Sequence, residues 1–153
     1  RSCLVGSEMC IRDRDKKKLT VQNNLNENTK VMADEAALKL ILTNFLSNAI
    51  KHSPKKALIN LAESSSSKGF IRLSVSDEGK GVPKKYKERV FERFYRIDKG
   101  RSSETGGTGL GLSISKNLAL MMGYSVGVEA NKPKGATFFI DIKVDEEKSI
   151  QAA

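Results

Sequence analysis

The chain contains no tryptophan, and aromatic residues make up only 6% of its 153 residues. Its lysines do not alternate with stacking aromatics, so a platform for single-stranded nucleic acid is poorly supported, and no direct nucleic-acid partner is predicted. Cysteine occurs twice, at Cys3 and Cys10, with neither metal-ligand spacing nor a histidine nearby. A disulfide framework or a zinc site therefore has no support, and a reducing compartment is expected.

Long apolar runs are also missing. No stretch approaches the roughly 18 apolar residues that cross a bilayer. We therefore expect no membrane contact by this stretch of chain and a cytoplasmic location, while an inner-membrane anchor in a longer parent protein stays open. The length fits one domain with one core, and a hydrophobic content of 39% is enough to fill that core.

Positive charge is what the chain has in excess. The formal net charge is +9, and lysine blocks at residues 16–18 and 84–85 supply much of it. A basic surface attracts nucleic acid, acidic lipid or a phosphate-rich ligand. A solvated lysine-rich face is the plainer alternative, so charge alone does not identify the ligand.

The two ends of the chain differ from its middle. Residues 1–14 show neither strand alternation nor a helical face, and the run MCIRD at residues 9–13 resembles a translated sequencing-library adapter. We expect these residues to be a non-native or disordered leader. Residues 15–145 form the predicted domain, and residues 146–153 form a polar C-terminal tail.

Hydrophobic periodicity in the middle of the chain alternates between strands and helices. One long helix is predicted after Asp34, a candidate N-cap, and it stops at Ser53 and Pro54. The other predicted elements are strands over 19–22, 29–32, 57–62, 70–76, 124–129 and 136–144, a short basic helix near 84–90, a charged loop over 91–108 and a second long helix over 109–122. Two long helices can cover one face of one sheet, which predicts a two-layer α/β sandwich.

Three polar residues interrupt the apolar pattern of the first long helix. Asn44, Asn48 and Lys51 are spaced i, i+4 and i+7, so they share one face. A carboxamide oxygen suits Mg²⁺, which takes few protein ligands and keeps water and phosphate oxygens. The ammonium of Lys51 could meet a phosphate. The alternative is a polar stripe that simply faces solvent.

Two glycine-rich segments follow. Asp77 ends an apolar strand, where its carboxylate can accept a hydrogen bond from the exocyclic amine of adenine, and Gly79 and Gly81 would let a flat ring approach the backbone. The segment GGTGLGL at residues 106–112 opens a helix, whose bare amides and dipole form an anion site. An ordinary turn and a hinge are the alternatives. The spacing matches neither the Rossmann fingerprint nor the P-loop, because Leu112 replaces the third glycine and no Gly-Lys-Ser/Thr follows.

Four motifs in this order resemble those of sensor histidine kinases. The family's N box resembles NFLSNAIKHSP (44–54), its first glycine box DEGKGVP (77–83), its F box FERFYR (91–96) and its second glycine box GTGLGL (107–112). The resemblance to the catalytic domain runs roughly from residue 16 to residue 145. It implies a Bergerat-type ATP-binding fold, with a mixed sheet covered on one face by helices and a flexible ATP lid.

The resemblance also implies roles for single residues, with ATP and Mg²⁺ as cofactors. Asn48 would be the metal ligand, Asn44 a second ligand or water-holder, and Asp77 the group that reads the adenine amine. Lys51 and Arg96 would face the phosphates, so catalysis would depend on these two cations and Asn44. The remaining nucleotide-binding positions would be His52, Gly79, Gly81, Tyr95, Gly107, Thr108, Gly109, Leu110 and Gly111.

Two positions depart from the family pattern. His52 stands where the family often has an aromatic ring beside adenine, and an imidazole can still stack there. Tyr124 replaces a glycine common before the penultimate strand, where we expect only a local adjustment.

The implied function is transfer of the γ-phosphoryl group of Mg-ATP to a histidine on a separate dimerisation and phosphoacceptor domain. The partners would be those helices and a response-regulator receiver domain in two-component signal transduction. His52, the only histidine, suits a ligand wall, so the acceptor domain is expected to be missing from this chain. Two alternatives stay open: an ATP hydrolase of the gyrase, chaperone and mismatch-repair branch, which typically has Glu in place of Asn44, and a non-catalytic nucleotide-binding regulatory module.

Overall fold

A computed structural model describes residues 14–95 and 110–145 of the chain. After a helical turn at residues 14–17, the long elements in chain order are β1 (Thr20–Asn24), α1 (Glu35–His52), β2 (Leu58–Ser65), β3 (Phe70–Ser76), α2 (Gly111–Met121), β4 (Ser125–Ala130) and β5 (Ala136–Lys143). Two short 3-10 helices, Lys84–Tyr86 and Arg89–Phe91, lie between β3 and α2. No helix within the described ranges is long and apolar enough to span a membrane.

The five strands form one sheet in the order β1-β2-β3-β5-β4. The strands β1 and β2 are parallel, and the other neighbours are antiparallel, so the sheet is mixed. Alternate residues of β5 point into the core, where Phe138 lies 5.7 Å from the ring of Phe45 on α1. This arrangement confirms the predicted α/β fold, in which helices pack on one face of a mixed sheet.

The helix α1 has the boundaries that its sequence predicts. Asp34 caps the N-terminus, because its Oδ2 accepts a hydrogen bond from the backbone N–H of Ala37 at 2.8 Å. The helix ends at His52, ahead of the proline that disfavours further helical backbone. Its apolar stripe supplies much of the core through the buried residues Ile41, Leu42, Phe45, Leu46, Ala49 and Ile50.

The opposite face of the sheet carries a polar cluster around Arg72. Its guanidinium bonds to Asp141 at 2.8 Å and to Glu129 at 3.0 Å. It also stacks 3.6 Å from the ring centroid of Phe139. A Cβ at Gly127 would lie 2.6 Å from that ring, so glycine is what lets the aromatic lie across β4.

Two predicted elements differ from those observed. The predicted strand over 29–32 is reduced to an isolated bridge between Val31 and Val144. The prediction was wrong because four alternating residues do not show whether a long partner strand is available for pairing. The predicted basic helix near 84–90 is two 3-10 helices, whose i→i+3 bonds include Tyr86 N–H to the carbonyl of Pro83 at 2.8 Å.

The remaining adjustments are local. The second long helix begins at Gly111 rather than at residue 109, which lies outside the described residues. Tyr124 stacks edge-on against Phe70 at 6.4 Å and donates its hydroxyl to the carbonyl of Met32. The tyrosine is thus accommodated at the end of the sheet. Residues 1–13 of the predicted leader, residues 96–109 and the tail at 146–153 are also outside the described residues. Arg14, the last residue of the predicted leader, begins the helical turn, and its carbonyl accepts from Leu19 N–H at 3.0 Å.

Candidate functional site

The polar face of α1 meets the start of α2 through Asn44. Its Nδ2 donates to the carbonyl of Gly111 and to Ser115 Oγ, both at 3.1 Å. Ser115 is fully buried and donates its own hydroxyl to the Gly111 carbonyl at 2.9 Å. These bonds assign the amide nitrogen of Asn44 to α2, which leaves its carbonyl oxygen as the acceptor side of the group.

The N-terminus of α2 presents backbone amides beside this contact. Among the residues that the structure describes, no side chain caps it, and the first N–H groups of a helix have no partner within the helix. Ser113 Oγ instead donates to the carbonyl of Leu110 at 2.9 Å, which leaves the amides of this turn to other acceptors. Both the missing partners and the helix dipole favour an anion here.

Asp77 lies at the end of β3 and is 2% exposed. Its Oδ1 accepts hydrogen bonds from the backbone N–H groups of Gly79 at 2.9 Å and Ala136 at 3.1 Å. Burial raises the pKa of Asp77 above its ordinary value of 3.8, and these two hydrogen bonds and the nearby charge of His52 oppose the rise. A buried carboxyl held by two amides is a fixed acceptor rather than a flexible surface charge.

The glycines after Asp77 are required by the protein's own backbone. A Cβ at Gly79 would stand 2.4 Å from the carbonyl oxygen of His52, and one at Gly81, with φ +77°, would stand 2.9 Å from the carbonyl of Gly135. Gly135 has φ +107°, and a Cβ there would be 1.9 Å from the carbonyl of Asp77. The close approach is therefore between the loop, the end of α1 and the β4–β5 turn.

The last turn of α1 carries two further predicted residues. Lys51 is half-buried and His52 is exposed. The backbone carbonyl of His52 lies beside Gly79, and the charge of the His52 side chain acts on Asp77. The end of α1 and the loop after β3 therefore form one region. Asn48 is half-buried and lies one turn from both Asn44 and Lys51 on the same helix.

The predicted lid residues are described only at their edges. Tyr95 is half-buried, with its ring 6.2 Å from that of Tyr86 and 4.7 Å from the guanidinium of Arg89. Leu110 and Gly111 are half-buried at the start of α2. Four predicted positions lie outside the described residues: Arg96, Gly107, Thr108 and Gly109.

Three contributors to this region escaped the sequence-based prediction. Asn131 Nδ2 donates to the carbonyl of Asp77 at 2.7 Å, and Gly135 gives the close contact to the same carbonyl. Both lie in the turn between β4 and β5, whose Asn, Pro and Gly read as an ordinary turn. Lys17 donates to carbonyls at the end of α1, but it looked like one more solvated lysine in a basic block.

Comparison with known proteins defines the class of protein. Residues 33–146 match the family described as histidine kinase-, DNA gyrase B-, and HSP90-like ATPases. The sensor histidine kinase WalK of Bacillus subtilis is 35% identical over 129 residues, which are 84% of this chain and 21% of WalK. The full-length structure of ShkA in complex with AMPPNP superposes with a TM-score of 0.73 at 31% identity, covering 90% of this chain and 28% of that one.

A third similar structure is histidine kinase ThkA in complex with the response regulator protein TrrA. Its TM-score is 0.70 at 25% identity, covering 92% of this chain and 38% of that one. The chain belongs to the histidine kinase-, DNA gyrase B-, and HSP90-like ATPase family, and the relatives that it resembles include sensor histidine kinases. It spans about a fifth to a third of the length of the WalK and SenX3 relatives that it matches.

Proposed function

We propose that this domain binds Mg-ATP and delivers its γ-phosphoryl group to a histidine on a separate helical domain. The observation that carries the proposal is the arrangement along α1. Asn44 joins one part of the helix to the first turn of α2 by donating to the carbonyl of Gly111 and to Ser115 Oγ. The end of the helix packs on Gly79, in the loop that follows the buried Asp77. From Asn44 to His52 the helix rises about 12 Å.

The adenine would bind at the Asp77 end. Its exocyclic amine is a donor, whereas guanine presents an acceptor at the equivalent position. Since Asp77 Oδ1 already accepts from Gly79 and Ala136, we assign Oδ2 to the adenine amine. His52 is exposed beside this loop and would stack on the ring.

The phosphates would bind at the other end. The backbone amides around Leu110 and Gly111 would donate hydrogen bonds to the phosphate oxygens, together with those of Gly107, Thr108 and Gly109 in the preceding segment. Lys51 and Arg96 would neutralise phosphate charge. Phosphoryl transfer depends mostly on such positioning and charge neutralisation, because it needs little covalent chemistry from the protein.

The residues on α1 fit a magnesium ion. Asn48 would ligate the metal through its amide oxygen, and Asn44, whose Nδ2 is held by α2, would turn its oxygen toward the metal or a metal-bound water. When bound, the ion would neutralise negative charge on the phosphates.

The same contact argues against the hydrolase alternative. A hydrolase of this family needs a base for its attacking water, and the amide of Asn44 cannot take that proton. Its donors are instead used to join α1 to α2. Position 44 itself carries an amide where the hydrolase branch typically has Glu.

The partners follow from the transfer reaction. The acceptor would be the protein's own dimerisation and phosphoacceptor helices, and a response regulator would receive the phosphoryl group next. The complex of ThkA with TrrA supports a response-regulator partner. The absence of a spanning helix among described residues is compatible with the proposed cytoplasmic location of this domain.

A transfer assay tests the proposal. The chain is mixed with γ-labelled ATP, Mg²⁺ and a separately produced histidine-bearing acceptor domain of a related sensor histidine kinase. We expect acid-labile label on the acceptor, and Asn48→Ala should lower the transfer rate at least about tenfold. Asn117→Ala, which removes an exposed asparagine of α2, serves as the control. Release of labelled inorganic phosphate with an unlabelled acceptor would favour the hydrolase and contradict the proposal.

A further inference from the structure

The end of α1 has an unusual cap. The last four carbonyls of a helix lack partners within the helix. Ser53 takes the first, because both its backbone N–H and its Oγ donate to the carbonyl of Ala49, at 3.0 and 2.7 Å. The next carbonyls are taken by a residue more than thirty positions earlier in the chain.

That residue is Lys17. Its Nζ lies 2.8 Å from the carbonyl oxygens of Ile50 and Lys51 and 3.0 Å from that of Ser53. An ammonium has three N–H donors, so three carbonyls match its capacity. Its positive charge also lies at the end of the helix where the dipole favours a cation.

Lys17 is itself held by its backbone. Its carbonyl accepts from the N–H of Lys56 at 2.8 Å, and Thr20 N–H donates to the carbonyl of Ala57 at 3.0 Å. The side chain is half-buried, unlike the exposed side chains of Lys16 and Lys18. The chain before β1 is therefore fixed against the loop that follows α1.

The capped turn is also the turn that borders the proposed adenine site. The carbonyl of His52 lies where a Cβ at Gly79 would be 2.4 Å away, so the last turn of α1 packs directly on the loop after Asp77. If that turn frayed, the helical backbone would no longer orient the Lys51 side chain. The loop after Asp77 would also lose the backbone against which it packs. The capping bonds of Lys17 thus reach the nucleotide site through backbone rather than through a ligand contact.

We propose that Lys17 is a positioning residue, which sets the last turn of α1, and with it Lys51 and the Asp77 loop, for nucleotide binding. The inference rests on the proposed binding of Mg-ATP at this site. A displacement of the chain before β1 would then alter the nucleotide site, because moving Lys17 removes the cap from the end of α1.

The test compares Lys17→Met, which keeps the length of the stem but removes the donors, with Lys17→Gln, which keeps two donors. Lys16→Met is the matched control, because it removes the same charge from an exposed neighbour. Mg-ATP affinity is measured by calorimetry well below the melting temperature of every variant. Hydrogen exchange of the amides in α1 is measured without nucleotide.

We expect Lys17→Met to weaken Mg-ATP binding at least about fivefold, Lys17→Gln to weaken it less, and Lys16→Met to change it less than about twofold. Exchange should accelerate in the last turn of α1 and not in its first turn. Unchanged affinity in Lys17→Met would overturn the inference. So would equal acceleration at both ends of α1, which is the sign of a general loss of stability. If the unmodified chain does not bind Mg-ATP, the proposed function fails instead.

Discussion

Replacing Asp77 by asparagine separates its structural role from its proposed role in reading adenine. Alanine would not do so, because it removes the acceptor of two buried amides, those of Gly79 and Ala136. Each unsatisfied amide costs about 1–3 kcal/mol, so Asp77→Ala would lower the free energy of unfolding by about 2–6 kcal/mol. A typical protein has a free energy of unfolding of only about 5–15 kcal/mol. Asparagine keeps an oxygen at the Oδ1 position and places an NH₂ group at the other.

The expected effect on binding follows from that exchange. The adenine amine would face a donor instead of an acceptor, which costs about 1–3 kcal/mol, or about 5- to 150-fold in affinity. Guanine presents a carbonyl oxygen at the same position and would gain a donor from Asn. Asp77→Asn should therefore weaken ATP binding and narrow or reverse the preference for ATP over GTP.

Calorimetric titration of both nucleotides, with Mg²⁺, measures the two affinities in the unmodified chain and the variant. Asp15→Asn is the control, because it removes one negative charge from an exposed position. Thermal unfolding checks that Asp77→Asn stays folded. If the folded variant keeps both its ATP affinity and its preference within about twofold, Asp77 does not read the base.

Three further predictions can be checked independently. Burial raises the pKa of Asp77, so its contribution to stability is fully present below the ordinary value of 3.8 and is lost as pH rises through the higher folded value. Chemical unfolding from pH 4 to 7 should therefore show Asp77→Asn gaining stability relative to the unmodified chain. A difference in unfolding free energy that does not change with pH would contradict this. Gly127→Ala should lose about 1–3 kcal/mol in the same assay, since its Cβ would meet Phe139 at 2.6 Å, whereas Ser125→Ala on the exposed part of β4 should lose little. Mg-ATP should slow tryptic cleavage of the sequence-predicted lid but not of the β4–β5 turn, as monitored by mass spectrometry at Arg96, Lys99 and Arg101 against Lys134; equal rates with and without nucleotide would refute a nucleotide-responsive lid.

Local signals in the sequence were enough to predict the helix and strand that position the site. The cap at Asp34 and the proline at Pro54 define α1, and alternation in β3 correctly assigns Leu73 and Val75 to the core. The order of the four motifs identified the family before any geometry was known. These features depend on neighbours within a few residues, which is the range over which a sequence can be read directly.

Contacts between distant segments could not be read in this way. Lys17 looks like any residue of a basic block until the parallel pairing of β1 with β2 brings it beside the end of α1. Gly135 looks like an ordinary turn residue until β5 is placed next to β3, where its lack of a Cβ makes room for the Asp77 carbonyl. The failed strand over 29–32 has the same origin, because its single bridge partner, Val144, lies at the far end of the chain.

The most direct test of the central claim is a crystal structure of this chain with Mg²⁺ and a non-hydrolysable ATP analogue. The account predicts the adenine amine within hydrogen-bonding distance of Asp77, the metal ligated by Asn48, and phosphate oxygens at the N-terminus of α2. A nucleotide bound away from α1, or one lying with its phosphates at Asp77 and its base at α2, would contradict it.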